Sequence, residues 1–94
     1  MARSSREKKT DFAALQSPFM RVPRMKTEVA RSLIEVGFRE VFELQGRSAE
    51  SIWAMIREKR PNTPPDQLPF IRMLVYYAET PSPEVRLLHP KAWE

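Results

Sequence analysis

Four basic side chains, at residues 21, 24, 26 and 31, lie close together in the sequence around Pro23. A short basic segment of this kind can bind a phosphate group, because Lys and Arg neutralise its charge and donate hydrogen bonds to its oxygens. Phosphate contacts hold a protein on nucleic acid but carry no information about base sequence. We therefore predict a sequence-independent, salt-sensitive contact with nucleic acid. The predicted binding residues are Arg21, Arg24, Lys26, Thr27 and Arg31, together with Lys8 and Lys9 near the N-terminus.

The residues on either side of this basic segment follow a recognisable order. Val22 and Pro23 lead into a tight hairpin, a helix carrying Ala30 and Leu33 follows, and Gly37 precedes a short apolar stretch. This order is typical of a helix-hairpin-helix unit. In such a unit, unpaired backbone N–H groups of the hairpin and of the next helix N-terminus point towards a phosphate. The order of residues therefore predicts that the hairpin is the part that meets nucleic acid.

The hairpin lacks the two glycines that usually make this backbone contact, and Arg24 and Lys26 stand in their places. Glycine allows the backbone to approach a phosphate closely because it has no Cβ. The sequence leaves two interpretations open. Either the hairpin keeps its shape and contacts phosphate through charged side chains, or it keeps only the shape and has lost the binding function.

The positive charge of the chain is concentrated in its first third. The 94 residues carry a net charge of +4, but residues 1–31 carry +5 and residues 32–94 carry −1. A polyanionic partner is attracted to the more positive part. Residues 1–10 have no apolar period, and we predict a disordered basic arm. The arm either supports binding through Arg3, Arg6, Lys8 and Lys9 or only aids solubility.

Apolar spacing predicts a compact bundle of about five short helices. The first well-defined helix runs over residues 27–36, and Gly37 fits the left-handed position that closes helices. Ser48 fits the N-cap of a helix over residues 49–59. A nearly all-apolar helix over residues 66–79 accepts Pro69 only in its first turn. Shorter helical segments are predicted after Asp11, after Ser17 and over residues 83–88.

Composition restricts the classes of function. The chain has no Cys and a single His, which excludes thiolate chemistry, a zinc ribbon and a multi-histidine metal site. It contains no catalytic constellation and no Gly-rich phosphate loop, so we predict no enzyme, no cofactor and no small-molecule substrate. The sequence has no apolar run long enough for a membrane span and no secretory segment. We therefore predict a cytoplasmic protein with one all-α domain over residues 11–94 and no membrane partner.

Two segments beyond the hairpin resemble a known family. The segment from Gly46 to Ile52 is similar to the Gly-Arg-x-x-Glu-x-Leu segment of the small "pathogenicity locus" helix-hairpin-helix proteins. The segment from Phe70 to Glu79 resembles that family's Phe-Arg-x-x-Val-Tyr-Phe-Ala helix, and the tail at Trp93 is similar too. The resemblance covers residues 15–94. It implies a SAM-like bundle with one clear and one degenerate helix-hairpin-helix unit, and it implies DNA binding but no reaction.

Two functions are consistent with these features. The first is sequence-independent DNA binding through the basic hairpin, which the charge of residues 1–31 favours. The second is a protein–protein adaptor or homodimer module without nucleic-acid binding, which the loss of the hairpin glycines favours. A structure can distinguish the two functions. DNA binding through the hairpin requires one exposed face that is shared by the side chains of Arg21, Arg24, Lys26 and Arg31.

Overall fold

The computed structural model describes residues 12–94 of the chain, and these residues form four α-helices and five 3₁₀ turns with no strand. Helix α1 includes residues 12–16, α2 is Thr27–Glu35, α3 is Ala49–Lys59 and α4 is Leu68–Glu79. The predicted all-α class is confirmed for this part of the chain. The basic arm with Lys8 and Lys9, and the start of the first helix at Asp11, lie outside the described residues.

Two of the three shorter predicted segments are 3₁₀ turns, and the third, after Asp11, is helix α1. The segment expected after Ser17 is a 3₁₀ turn, and the one expected over residues 83–88 is also a 3₁₀ turn, three residues long. Runs of three or four residues typically adopt 3₁₀ geometry, because an α-helix of that length gains too few hydrogen bonds to offset its nucleation cost. The five turns are Pro18–Arg21, Val41–Leu44, Pro65–Gln67, Val85–Leu87 and Pro90–Trp93.

The C-terminus of α2 is closed at Gly37, as the sequence predicts. Gly37 has φ +103° and donates its N–H to Ile34 O at 3.0 Å. Phe38 donates its N–H to Leu33 O, also at 3.0 Å. This pair of bonds is the Schellman motif, in which the left-handed residue reverses the chain and satisfies the last helical carbonyls. Leu33 and Phe38 are both buried, so the motif also brings the chain back to the core.

The N-cap of α3 and the first-turn position of Pro69 are confirmed, whereas α4 begins at Leu68 and not at residue 66, because Pro65–Gln67 is a 3₁₀ turn. Ser48 is the N-cap of α3, and its Oγ accepts the N–H of Ser51 at 3.1 Å. Helix α4 begins at Leu68, which places Pro69 in the first turn. A proline there removes no helical hydrogen bond, because the first N–H groups of a helix have no intrahelical partner.

Helix α4 lies at the centre of the packing. Its Phe70, Ile71, Met73 and Leu74 are buried, and it contacts α3 and the 3₁₀ turns at residues 41–44, 65–67 and 90–93. The other helices bury their apolar faces against the same core, which is one continuous cluster. Within residues 12–94, no helix combines the length and the apolar character needed to cross a bilayer.

The C-terminal tail, residues 84–94, is docked on α4 by specific contacts. Trp93 donates its Nε1–H to Leu87 O at 2.8 Å, and its ring centroid lies 5.3 Å from that of Tyr76. Arg72 of α4 donates from Nη1 to Trp93 O at 2.8 Å. The hydroxyl of Tyr76 accepts the N–H of Glu84, also at 2.8 Å. These contacts place the basic residues of the tail at a defined position in the fold.

Candidate phosphate-binding site

The hairpin before α2 is built as a turn with Pro23 and Arg24 at its centre. Met25 donates its N–H to Val22 O at 3.3 Å. Arg24 has φ +63° and is the only non-glycine residue with positive φ among those described. Proline followed by a residue of positive φ is the pattern of a type II turn, which normally carries glycine at that second position. Arg24 therefore adopts the backbone conformation of the glycine that it replaces in the pattern.

The side chain of Arg24 reaches the C-terminal tail. Its Nη1 donates to the carbonyl oxygen of Leu88 at 3.1 Å, between residues 64 positions apart. Arg24 also lines a cavity of about 420 Å³, and the other lining residues all belong to the tail. We call this the hairpin–tail cavity, and it is lined by Arg24, Val85, Arg86, His89, Lys91 and Ala92.

The hairpin–tail cavity has an excess of positive charge. Arg24, Arg86 and Lys91 are cationic, and only Arg86 has an acidic partner among the described residues. That partner is Glu84, whose Oε2 lies 2.8 Å from Arg86 Nη2. Both side chains are more than half exposed, so this ion pair is weak and a competing anion can replace the carboxylate. The cavity thus offers guanidinium and ammonium donors to an anion.

His89 adds a further donor to this cavity. Its Nδ1 accepts the N–H of Lys91 at 3.1 Å. When Nδ1 of a neutral imidazole accepts a hydrogen bond, the ring proton is on Nε2. Nε2–H is then the donor that His89 can offer to a phosphate oxygen.

Lys26 and Thr27 lie at the start of α2 but do not join the hairpin–tail cavity. Lys26 is the N-cap residue, and its Nζ lies 5.5 Å from the centroid of the Phe70 ring in a cation–π contact. Thr27 is half-buried as the first residue of the helix. The side chain of Lys26 is therefore directed along α4, whereas that of Arg24 is directed to the tail.

Arg31 and Arg21 are also separate from the hairpin–tail cavity. Arg31 forms an ion pair with Glu35, with Nε and Oε1 3.5 Å apart, and lines a second cavity beside α2. Arg21 is exposed at the end of its 3₁₀ turn. The predicted residues are thus distributed over different neighbours, and of those described only Arg24 lines the hairpin–tail cavity. Lys8 and Lys9 lie outside the described residues.

The sequence interpretation missed Arg86, His89 and Lys91. Their spacing in the tail gives no helical or strand period, and His89 resembled an ordinary surface or tail-packing histidine. Basic residues at positions 86, 89 and 91 were the available signal. The sequence alone does not show that the tail contacts Arg24, because this contact depends on the tail folding back over α4.

Comparison of the chain with protein-family models, with curated proteins and with solved structures finds no match. The resemblance to the pathogenicity locus proteins therefore stays a prediction. Among residues 12–94 there is also no group of three or more His, Asp or Glu side chains placed to hold a metal ion. The hairpin–tail cavity is the arrangement from which a function can best be inferred.

Proposed function

We propose that this protein is a non-enzymatic DNA-binding protein that contacts phosphates without reading sequence. The observation that supports the proposal is the hairpin–tail cavity, in which the hairpin and the tail contribute Arg24, Arg86, His89 and Lys91 to one concave surface. The side chains of Arg24, Lys26 and Arg31 lie at different sites and do not share one face, which counts against a contact made by the hairpin alone. The proposal therefore moves the contact to the hairpin together with the tail.

The geometry suits a phosphodiester group for two reasons. The donors come from segments that are held by the fold, so little side-chain freedom is lost when a phosphate binds. Arg24 is fixed by its bond to Leu88 O, and the tail is fixed by Trp93. Guanidinium and ammonium groups also form charge-assisted hydrogen bonds to phosphate oxygens, and these are stronger than neutral ones.

The number of cations sets the strength and salt dependence of the contact. Two or three neutralised phosphates give a slope of log affinity against log salt of about −2 to −3 on duplex DNA. Binding at physiological salt is then in the micromolar range or weaker, as is usual for non-specific contacts. A protein with such a site binds DNA at low salt and releases it as salt rises.

We further propose that α2 and its hairpin form a helix-hairpin-helix unit in a SAM-like bundle of the pathogenicity locus kind. The turn from Val22 to Met25, the positive φ of Arg24 and the Schellman end at Gly37 support the first unit. The connection over residues 60–64 between α3 and α4 is the candidate for the degenerate second unit.

Fluorescence anisotropy with labelled duplex and single-stranded DNA, at low and moderate salt, tests DNA binding. We expect the Arg24→Gln/Lys91→Gln variant to bind about tenfold more weakly than the unchanged protein. Its matched control is Arg39→Gln/Arg57→Gln, which removes the same charge from exposed residues outside the cavity. Equal losses in both variants would indicate a diffuse charge effect, and no binding at low salt would contradict the proposal.

The second candidate function is a protein–protein adaptor or homodimer module. The observation that favours it is the exposure of Phe12 and Leu15, at 61% and 60%, because residues three positions apart share one side of α1. Sedimentation equilibrium tests the homodimer directly. A concentration-dependent mass that Phe12→Ser/Leu15→Ser abolishes would support it, whereas a monomer at all concentrations would leave only a heterologous partner.

A further inference from the structure

A second cavity, of about 440 Å³, lies between α2 and the connection from α3 to α4. It is lined by Arg31 and Ser32 of α2, by residues 60–64, and by Gln67. We call it the Gln67 cavity. None of these residues belongs to the hairpin–tail cavity, so the two sites can be tested separately.

Gln67 is the feature of this cavity that requires an explanation. It is only 6% exposed, and its Oε1 accepts a hydrogen bond from Ser32 Oγ at 2.8 Å. Its Nε2 donor has no partner among the described residues. Buried polar groups are almost always paired, and an unpaired one points to a water, an ion or a ligand. Gln67 lines the cavity, so a molecule bound there can supply the partner of its Nε2.

The orientation of the Gln67 amide is held by α2. Ser32 is itself 7% exposed, and its Oγ lies 3.1 Å from Glu28 O as well as 2.8 Å from Gln67 Oε1. A side chain fixed in this way loses little freedom when a ligand binds. The buried amide is therefore a preorganised donor.

Arg60 supplies the charged part of the cavity. Its Nε lies 2.7 Å from Glu35 Oε2, and the same carboxylate pairs through Oε1 with Arg31 Nε at 3.5 Å. Glu35 is only 15% exposed, so it anchors both guanidinium groups. The Nη donors of Arg60 have no partner among residues 12–94. Arg60 therefore brings a guanidinium group to the wall of the cavity.

The connecting loop is rigid where it borders the cavity. Thr63 donates both its hydroxyl and its N–H to Arg60 O, at 2.7 and 3.0 Å. Pro61 and Pro64 restrict the backbone on either side of Asn62. The amide of Asn62 also lines the cavity and has no partner in the part of the chain that the structure describes.

We propose that the Gln67 cavity binds a small oxyanion, either free inorganic phosphate or the phosphate group of a mononucleotide. The Nη groups of Arg60 and the amide N–H groups of Asn62 and Gln67 are the donors. An oxyanion can accept hydrogen bonds from all three of these groups at once, whereas a single water accepts at most two. The guanidinium of Arg60 favours an anion over a neutral ligand of the same size.

Titration of the ¹⁵N-labelled full chain with sodium phosphate, at constant ionic strength, tests the proposal by NMR. We expect saturable shifts of the Gln67 side-chain amide signals. Arg60→Gln should weaken binding about tenfold, whereas Arg57→Gln, on the last turn of α3 but outside the cavity, should leave it unchanged. Gln67→Leu should also weaken binding, and Arg60→Gln keeps the test decisive if that buried substitution prevents folding.

Adenosine monophosphate serves as the second arm of the titration. Saturation by phosphate alone identifies a free oxyanion as the ligand, and saturation only by the nucleotide identifies a phosphate ester. Shifts that do not saturate with either compound, or that are equal in the unchanged protein and in Arg60→Gln, would overturn the proposal and leave water as the partner of Gln67.

Discussion

The guanidinium of Arg24 is hydrogen bonded to the carbonyl oxygen of Leu88, at 3.1 Å. This bond joins the hairpin before α2 to the C-terminal tail. The same residue has φ +63°, a conformation that is unfavourable for any side chain with a Cβ. The backbone of Arg24 is therefore strained, while its side chain makes a tertiary contact. Substitutions at this position can measure the two effects separately.

We expect Arg24→Gly to be more stable than Arg24→Ala by about 1 kcal/mol in free energy of unfolding. Both variants lose the bond to Leu88, but only glycine relieves the left-handed backbone. Guanidinium denaturation of the two purified variants measures the difference. An alanine variant that is equally or more stable would show that the positive φ of Arg24 is not strained.

Gly37→Ala should destabilise the fold by about 1 kcal/mol, which lowers Tm by about 4–8 °C in a domain of this size. The Schellman motif requires the φ of +103°. No atom lies within 4 Å of the position of an added Cβ, so the cost comes from the backbone and not from a clash. Gly37→Asn is the comparison, and it should cost less because asparagine tolerates this conformation better. An equal loss in both variants would indicate some other cause.

The Ser32–Gln67 hydrogen bond should show a positive coupling in a double-mutant cycle. Ser32→Ala leaves the buried Oε1 of Gln67 without its donor and should cost about 1–3 kcal/mol. Once Gln67 is replaced by leucine, Ser32→Ala should cost much less. Ser82→Ala, at an exposed serine outside the helices, controls for loss of a hydroxyl. Additive free energies of unfolding would mean that the bond contributes little.

The carboxylate of Glu43 should make stability depend on pH in the acidic range. Backbone N–H groups of Arg39 and then Glu40 donate to its Oε1, at 2.8 and 2.7 Å, and lower its pKa below 4.5. The positive charges of Arg47 and Arg39 lower this pKa further. A carboxyl with a lowered folded pKa stabilises the protein above its unfolded pKa, and this stabilisation is lost as pH falls through the folded value.

The unchanged protein should therefore be more stable than Glu43→Gln above pH 4.5, and the difference should shrink as pH falls below that value. Denaturant titrations across this range measure the two curves. Glu58→Gln removes one acidic charge from an exposed position on α3 and corrects for the change in net charge. A difference that does not change with pH would contradict the assignment to Glu43.

The sequence predicted those features of the fold that depend on one residue and its neighbours in the chain. The stop at Gly37, the cap at Ser48 and the position of Pro69 follow from the chemistry of one residue and its nearest neighbours. Two of the three shorter predicted segments became 3₁₀ turns. The turn Pro18–Arg21 contacts α2, and the turn Val85–Leu87 contacts the turn Pro90–Trp93. Apolar spacing alone does not contain these contacts.

The candidate site could be predicted only in part, because most of its geometry is long-range. Arg24 stood out in the sequence as a charged residue at a glycine position. Its neighbours in space come from the tail, and no local pattern brings residue 24 to residue 88. Conversely, Lys26 and Arg31 are close to Arg24 in sequence, but Phe70 and Glu35 hold them elsewhere.

Trp93→Ala should weaken DNA binding although it removes no charge. The Trp93 side chain donates to Leu87 O and packs against Tyr76, and these contacts dock the tail that carries Arg86, His89 and Lys91. When the tail is released, its cations no longer lie beside Arg24, and the hairpin–tail cavity is lost. Anisotropy titrations at low salt should place this variant near Arg24→Gln/Lys91→Gln in affinity.

Phe42→Ala is the matched control for Trp93→Ala, because it removes an aromatic ring that is 66% exposed and lies outside the cavity. Circular dichroism establishes that both variants keep their helices before binding is compared. If Trp93→Ala binds DNA as tightly as the unchanged protein, the cations act by their net charge alone. A selective loss in Trp93→Ala would instead mean that binding requires the hairpin and the tail to be held together, because both variants keep every charge of the chain.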